Sequence, residues 1–465
     1  MFLSNNIMSA DNNALPPSRR GRQNVRPDLM IDLSRQLEEN KYHPTKSPKG
    51  IIDLGSAVNE LMLEDIAGWT RWNVKRGQLK NDLGYNDTQG SPELLKAAAE
   101  FMNEHFRARI PLTLDNILAA NGVTTLLDTL AFNIADEGES ILLPTPSYGM
   151  FSHDVSTRNS VRIVQVPCDD IPDERFAGPH AQQDEICRPS ELVVRLETAI
   201  ENELHQGRKV AAILLANPEN PLGRCYAPSV LLQVSQLCAR HKLHLIVDEI
   251  YAMSAGDGFS SMLSLGLDTN FRNVHVLWGM SKDFGLGGLR IGGLEQTLTV
   301  SSMFGWVSSF SASLATKLLS DRKYLRDHYS PVYRRRLNKR RLLVESELKR
   351  FEIPYMEADS GFFMLIDLSD WLDQLFARYG KDGELDLLEY IIDNRVFLEP
   401  GKAFFCKSAG WFRLNFGGEK HTVKTGLQRL FQCLRSLESK GEPLVADDAT
   451  PHHPPRRHLT HLTVA

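Results

Sequence analysis

NVHVLWGMSKDFGLGGLRIG (273–292) passes from an apolar run with strand character into a lysine, a glycine-containing turn and an arginine. The run NVHVLW (273–278) reads as a strand, and Lys282 follows it closely. Taken as a nucleotide loop, GLGGLRIG (285–292) fails the dinucleotide spacing, because Arg290 stands where a glycine belongs. The lysine therefore needs an explanation from its neighbours.

Working outward, further short apolar runs alternate with helical patterns: SILLP (140–144), VRIVQVP (161–167), VAAILLA (210–216) and LHLIVDE (243–249), with the helical LLQVSQLCARH (231–241) between the last two. Strands alternating with helices predict an α/β fold with a mainly parallel sheet buried on both faces. After about Leu294 the pattern turns helical through YSPVYRRRLNKRRLLVESELKR (329–350) and returns to strands at GFFMLIDL (361–368), VFLEPG (396–401) and WFRLNF (411–416). That shift predicts a large domain over 51–300 and a smaller α+β domain over 301–439. Residues 1–50, rich in Asn, Pro, Ser and arginine and without a sustained hydrophobic period, read as a flexible arm. The stretch from 440 to PHHPPRRHLTHLTVA reads as a disordered tail rather than a metal site.

Composition narrows the function. The 465 residues carry a formal net charge of -5, which gives no bulk attraction to nucleic acid or anionic lipid and favours small-molecule substrates. The six cysteines include no CxxC pair and read as reduced thiols. No apolar run reaches the length of a membrane span and the opening residues lack a secretory pattern, so a cytoplasmic location is expected. The basic run Arg334, Arg335, Arg336, Lys339, Arg340 and Arg341, interleaved with leucines, reads as the solvated face of an amphipathic helix. A P-loop, an HExxH pair and a G-x-S-x-G elbow are all absent.

What stands in their place is an ordered series: YNDTQG (85–90), NGVTT (121–125), PTPSYG (144–149), NPENPLG (217–223), DEIY (248–251), SKDFGLGGLRIG (281–292) and WFRLNF (411–416). Each is weak alone. In this order, from about Ile51 to Leu434, they resemble the fold-type-I pyridoxal 5′-phosphate (PLP) enzymes of the class I/II aminotransferase group. GSAVNEL (55–61) and PGKAFFCKSAGWFRLNF (400–416) are most similar to the 1-aminocyclopropane-1-carboxylate synthase branch. The resemblance implies a seven-stranded large domain, a homodimer with shared active sites, and amino acids and oxo acids as substrates.

It also implies roles. Lys282 is expected to hold the cofactor as a Schiff base and then to shuttle the substrate's Cα proton. Asp248, at the end of an apolar strand, would be costly to bury without a cation, and the protonated pyridine nitrogen supplies one. Tyr251 and Asn220 match the residues that hydrogen-bond the phenolic oxygen, and Tyr148 the aromatic ring stacked on the cofactor. The phosphate is expected at the backbone N–H groups of Val123 and Thr124, the Thr124 hydroxyl, Ser281 and Arg290, with Tyr85 reaching the phosphate of the neighbouring subunit. Arg413 matches the residue that grips the substrate carboxylate as a bidentate pair.

Three departures stand out. Val58 occupies the position of a glutamate associated in that branch with sulfonium elimination. Gly279, three residues before the lysine, replaces the usual hydroxyl residue, and the stretch from Leu294 to Ser308 is shorter than the family's connection. Transamination of an α-amino acid, compatible with specialised-metabolite biosynthesis, is the expected activity. A carbon–sulfur elimination lyase and a catalytically silent binding protein are the alternatives.

Overall fold

Seven segments, most of them apolar, become the strands of one sheet: β1 (Ile117–Ala120), β2 (Ser140–Thr145), β3 (Arg162–Pro167), β4 (Val210–Ala216), β5 (His244–Asp248), β6 (Val274–Gly279) and β7 (Gly292–Glu295). In this computed structural model they lie in the order β1-β7-β6-β5-β4-β2-β3. Every pairing is parallel except those of β7, which runs antiparallel to both β1 and β6. β2, β4 and β6 are buried along their whole length, which is why they read as unbroken apolar runs. The register sets Ala216 opposite Asp248 and Asp248 opposite Leu277, so the carboxyl ends of β4, β5 and β6 lie side by side.

The structure describes residues 18–23, 29–73, 81–170, 176, 189–256, 258–265, 273–295, 301–381 and 383–438. Within those limits the sheet belongs to a larger unit of residues 57–366 and 414–420, and a smaller unit takes its residues from 1–56, 367–413 and 421–465. Helices α1 (Pro92–His105), α2 (Val123–Ile134), α3 (Phe151–Ser156), α4 (Glu191–His205), α5 (Pro228–His241), α6 (Met280–Asp283), α7 (Ser309–Ser320) and α8 (Ser330–Arg350) complete the larger unit's main elements. Local chemistry starts several of them. The Ser91 hydroxyl accepts the Leu94 N–H at 3.2 Å before α1, and Pro228 sits in the first turn of α5.

This division differs from a boundary near residue 300. α7 packs against α1, and the Tyr329 hydroxyl donates to the Asp283 carbonyl at 2.8 Å, so the helices after the sheet stay with it. The basic run on α8 is also only partly a solvated face. Arg334, Arg335 and Lys339 are exposed, but Arg336 donates to the Leu61 carbonyl at 2.7 Å and pairs with Asp65, and Arg341 donates to the Ala358 carbonyl at 2.9 Å. Strands β1 and β7 carried no clear sequence signal. β7 exists through close approach: a Cβ on Gly292 would lie 2.9 Å from the Val123 nitrogen.

In the smaller unit, Ile52–Asp53 pairs parallel with Val396–Phe397, and Glu399–Pro400 pairs antiparallel with Trp411–Asn415 through Glu399 and Arg413. Helices Ser369–Tyr379, Glu384–Asp393 and Lys420–Glu438, the last from His421 onward, pack around them. Within the expected arm over 1–50, the residues from Leu29 onward are structured. Leu29–Glu39 is a helix whose Leu33 and Leu37 are buried together with Leu29, one apolar side chain per turn. Residues 1–17, 24–28, 296–300 and 439–465, with the expected tail and part of the short connection, lie outside the described residues, as does Cys187. The five described cysteines are free. Among the described residues no helix is long and apolar enough to cross a membrane, and no cluster of potential metal ligands occurs.

Candidate active site

At the carboxyl ends of β4, β5 and β6 a cavity of about 440 Å³ opens, the place where parallel α/β sheets present loops and helix starts to a ligand. Its lining brings together Val123, Thr124, Tyr148, Asn220, Asp248, Tyr251, Ser281, Lys282 and Arg290. The expected cofactor residues of this chain other than Tyr85 thus face one space.

Lys282 emerges from α6, a single turn immediately after β6, and its Nζ donates to the Ala57 carbonyl at 2.9 Å. Asp248 is the last residue of β5. It is buried, and its Oδ1 accepts the Ile250 N–H at 3.1 Å. Burial pushes its carboxyl up to about 7; that hydrogen bond opposes the shift, the charge of Asp154 adds to it and Lys282 opposes it. Asn220 lies in the loop after β4. Asn217 braces that loop by donating to the Ser260 carbonyl at 3.1 Å and accepting the Tyr226 N–H at 3.0 Å. Tyr251 is fixed edge-on against Phe362 and Phe363 at 5.5 and 5.1 Å, and Tyr148 against Phe151 at 5.3 Å.

The opposite side of the pocket is built for a dianion. α2 begins at Gly122 without a side-chain cap, leaving its first N–H groups and positive dipole end at the cavity. Gly122 has φ +124, and a Cβ there would sit 2.2 Å from Nη2 of Arg290, so only glycine lets the guanidinium close over the helix start. The Gly279 departure has a physical cause here as well. A Cβ at that position would lie 2.9 Å from the Ile291 carbonyl and 3.2 Å from a Val123 methyl, so a hydroxyl residue does not fit the β6–β7 approach. Ser281, two residues on, lines the pocket instead.

Several residues in or beside the pocket were not among the expected site residues. Asp154 on α3 lines the cavity, is buried, and is pushed up to about 7 by burial, with the Thr124 hydroxyl opposing the shift. Asp283 is wholly buried beside the lysine and accepts N–H groups from Met253 at 2.8 Å and from Ser254 and Trp278 at 3.1 Å. Burial still raises its carboxyl to about 7. Ala57, Val58 and Asn59 form one wall, with the Val58 side chain 52 % exposed on it. Nothing local in the sequence marks Asp154, whereas Asn59 stood inside the GSAVNEL segment.

Tyr85 is outside this pocket. It is 96 % exposed and stacks on Trp306 at 5.3 Å. Arg413 belongs to the smaller unit, where it is buried, donates to the Gly55 carbonyl through Nη2 at 2.7 Å and Nε at 3.2 Å, lies 3.7 Å from Glu399 and stacks over Phe404 at 4.6 Å. These contacts engage Nε and Nη2 and hold the guanidinium in one orientation.

Residues 49–430 match the family model for aminotransferase class I and II. The chain is 33% identical over 432 residues to 1-aminocyclopropane-1-carboxylate synthase-like protein 1 of Bos taurus, covering 90% of this chain and 82% of that one. It is 31% identical over 409 residues to the probable inactive 1-aminocyclopropane-1-carboxylate synthase-like protein 2 of Homo sapiens, covering 86% and 70%. Aspartate aminotransferase from Thermus thermophilus with maleate superposes with a TM-score of 0.69 at 18% identity, over 90% of this chain and all of that one, which establishes a shared fold. The chain therefore belongs to the class I and II aminotransferases, a family of pyridoxal 5′-phosphate-dependent proteins, in their 1-aminocyclopropane-1-carboxylate synthase-like branch.

Proposed function

We propose that the protein is a PLP-dependent aminotransferase acting on an α-amino acid. One observation carries the reading: a single cavity is lined by a lysine amine, a buried carboxyl at a strand end, and a helix start under an arginine. The residues fit the cofactor. Gly122 leaves room for Arg290 at an uncapped helix start, which suits a phosphate dianion, and the raised carboxyls of Asp248 and Asp154 are relieved by a cation. Val123, Thr124, Ser281 and Arg290 would hold the phosphate, Asp248 the ring nitrogen, Asn220 and Tyr251 the phenolic oxygen, Tyr148 the ring face, and Lys282 the aldehyde carbon.

When bound, the cofactor supplies an electron sink for the charge that develops at the substrate's Cα. The chain's residues do the rest. Asp248 would keep the ring nitrogen protonated, Arg413 would orient the substrate carboxylate, and Lys282 would take the proton from Cα and deliver it to the carbon that carried the cofactor's aldehyde. Tyr85 is proposed to serve the neighbouring subunit of a homodimer; its near-complete exposure suits that role.

The elimination lyase is the second reading, supported by the branch. It is disfavoured for a sulfonium substrate because the pocket wall presents Val58, an apolar side chain, where a carboxylate would be needed. The silent reading is supported by a relative named as probable inactive and disfavoured by the complete residue set around the pocket. Absorbance of the purified protein with PLP, then with a panel of amino acids, tests all three. A band that depends on Lys282 and converts stoichiometrically to the amine form of the cofactor supports transamination. Oxo acid released without an acceptor supports the lyase, and no band at all supports the silent protein.

A further inference from the structure

α6 is a helix of only four residues, too short to hold itself, and it carries Lys282 as its third residue. Such a turn cannot pair all its carbonyls within itself: the Lys282 carbonyl accepts the Gly285 N–H at 3.2 Å, the long end of the hydrogen-bond range. A residue more than two hundred positions away completes it. Asn59, 2 % exposed, donates through Nδ2 to the Lys282 carbonyl at 2.8 Å, with the Asp283 carbonyl at 3.2 Å and the Tyr333 hydroxyl at 3.1 Å from the same nitrogen. Its Oδ1 accepts the Leu61 N–H at 3.1 Å, so both sides of the amide are engaged and its orientation is fixed.

The approach is built into the backbone. Gly285 has φ +66, and a Cβ there would lie 2.3 Å from the Asn59 carbonyl. Two residues before Asn59, the Ala57 carbonyl accepts from Nζ of Lys282 at 2.9 Å. The segment 57–59 therefore grips the lysine twice, by its main chain and by its amine.

Resting on the reading of Lys282 as the cofactor-bearing amine, we infer that Asn59 is a positioning residue: it caps the carbonyl end of α6 and thereby sets the direction in which Lys282 enters the pocket. It acts through the lysine's main chain, its amide being engaged by backbone groups and a tyrosine hydroxyl. Tyr329 offers a built-in control, since its hydroxyl donates to the Asp283 carbonyl at 2.8 Å, next to the Lys282 carbonyl that Asn59 holds.

The test uses the full chain loaded with PLP and follows three readouts: the rate of cofactor loss, the pH midpoint of the absorbance band, and the melting temperature of the cofactor-free protein. Asn59→Ala and the near-isosteric Asn59→Asp are expected to release cofactor roughly tenfold faster and to move the midpoint by about half a unit or more, the effect of losing one good buried hydrogen bond. Tyr329→Phe is expected to lower the melting temperature while leaving release and midpoint within about twofold. The inference is overturned if the Asn59 variants only lower the melting temperature, if Tyr329→Phe shifts the midpoint equally, or if neither Asn59 variant folds, which assigns the residue to folding. Failure of the wild-type protein to form the band overturns instead the reading of Lys282.

Discussion

The two ends of the central sheet both bury groups that titrate, and they do so for opposite purposes. At the carboxyl ends of β5 and β6, Asp248 and Lys282 open onto a cavity, and the carboxyl is raised to about 7 because burial denies it water. At the amino ends of the same strands, His244 and His275 face each other, Nδ1 to Nε2 at 2.9 Å, with rings stacked at 5.2 Å. There burial pushes His275 down to about 3, with His244 adding to the shift, and neither histidine lines the cavity at the other end. One end holds its strain ready for a ligand. The other pairs its two imidazoles through one ring contact, leaves Nδ1 of His275 buried without a hydrogen bond, and lies away from the pocket lining.

The contrast predicts different responses to mutation, and the largest effect belongs to the pocket. Lys282→Ala should abolish the cofactor's absorbance band and lower turnover by at least about 10³-fold, since both the covalent anchor and the proton carrier go. A visible-range spectrum alongside steady-state turnover checks this, and residual turnover within an order of magnitude would break the assignment. Asp248→Asn should lower turnover by about 10²- to 10³-fold by removing the fixed charge opposite the ring nitrogen.

The same substitution has a second, opposite consequence. The folded carboxyl titrates at about 7 against an ordinary 3.8, so between those values the folded state binds more protons than the unfolded chain. Stability is therefore lost as pH rises through that window, and the deficit is complete above 7. Asp248→Asn should raise the melting temperature of the cofactor-free protein at pH 8 while crippling catalysis; calorimetry with and without PLP separates the two effects.

Gly279→Ser tests the structural cause of the missing hydroxyl. It should destabilise the fold by about 1–3 kcal/mol, because the new Cβ meets the Ile291 carbonyl, without tightening cofactor binding. A denaturant midpoint and a cofactor titration decide it; tighter binding with unchanged stability would mean that the β6–β7 approach yields.

The smallest effect on the cofactor belongs to the amino end. His275 titrates at about 3 when folded against 6.5 in its ordinary state, so the unfolded chain binds more protons between those values. Stability should fall as pH drops below 6.5, with a slope approaching about 1.4 kcal/mol per pH unit for this one group. His275→Val should flatten that slope and leave cofactor release unchanged. If it altered the cofactor's spectrum, the separation of the two ends would fail.

How far the site was legible depended on whether a residue's role lies in its own segment. Asp248 was readable because a carboxyl ending the run LHLIV is anomalous on chemical grounds alone. Lys282 and Arg290 were readable because strand, turn and charges are consecutive. Asp154 sits on a short helix with an ordinary polar pattern, and its place in the pocket follows from how α3 packs on α2. Asn59 and Asp283 act on backbone groups, which have no sequence signature. The Leu29–Glu39 helix was misread as an arm because its three buried leucines lie among polar neighbours, and Leu33 and Leu37 gain meaning only once packed.

Residue chemistry and local periodicity by themselves determined the parallel α/β sheet, the apolar strands and the lysine after β6, because each rests on neighbours within a few positions, and the order of the short segments along the chain determined the family resemblance. Only the tertiary structure decided that the helices through α8 stay with the sheet, that Gly279 and Gly292 are glycines because strands and helix start crowd there, and that a distant asparagine caps the lysine's turn. Those outcomes depend on which backbones approach within hydrogen-bonding or van der Waals distance, and that is fixed by packing of the whole chain rather than by the order of its residues.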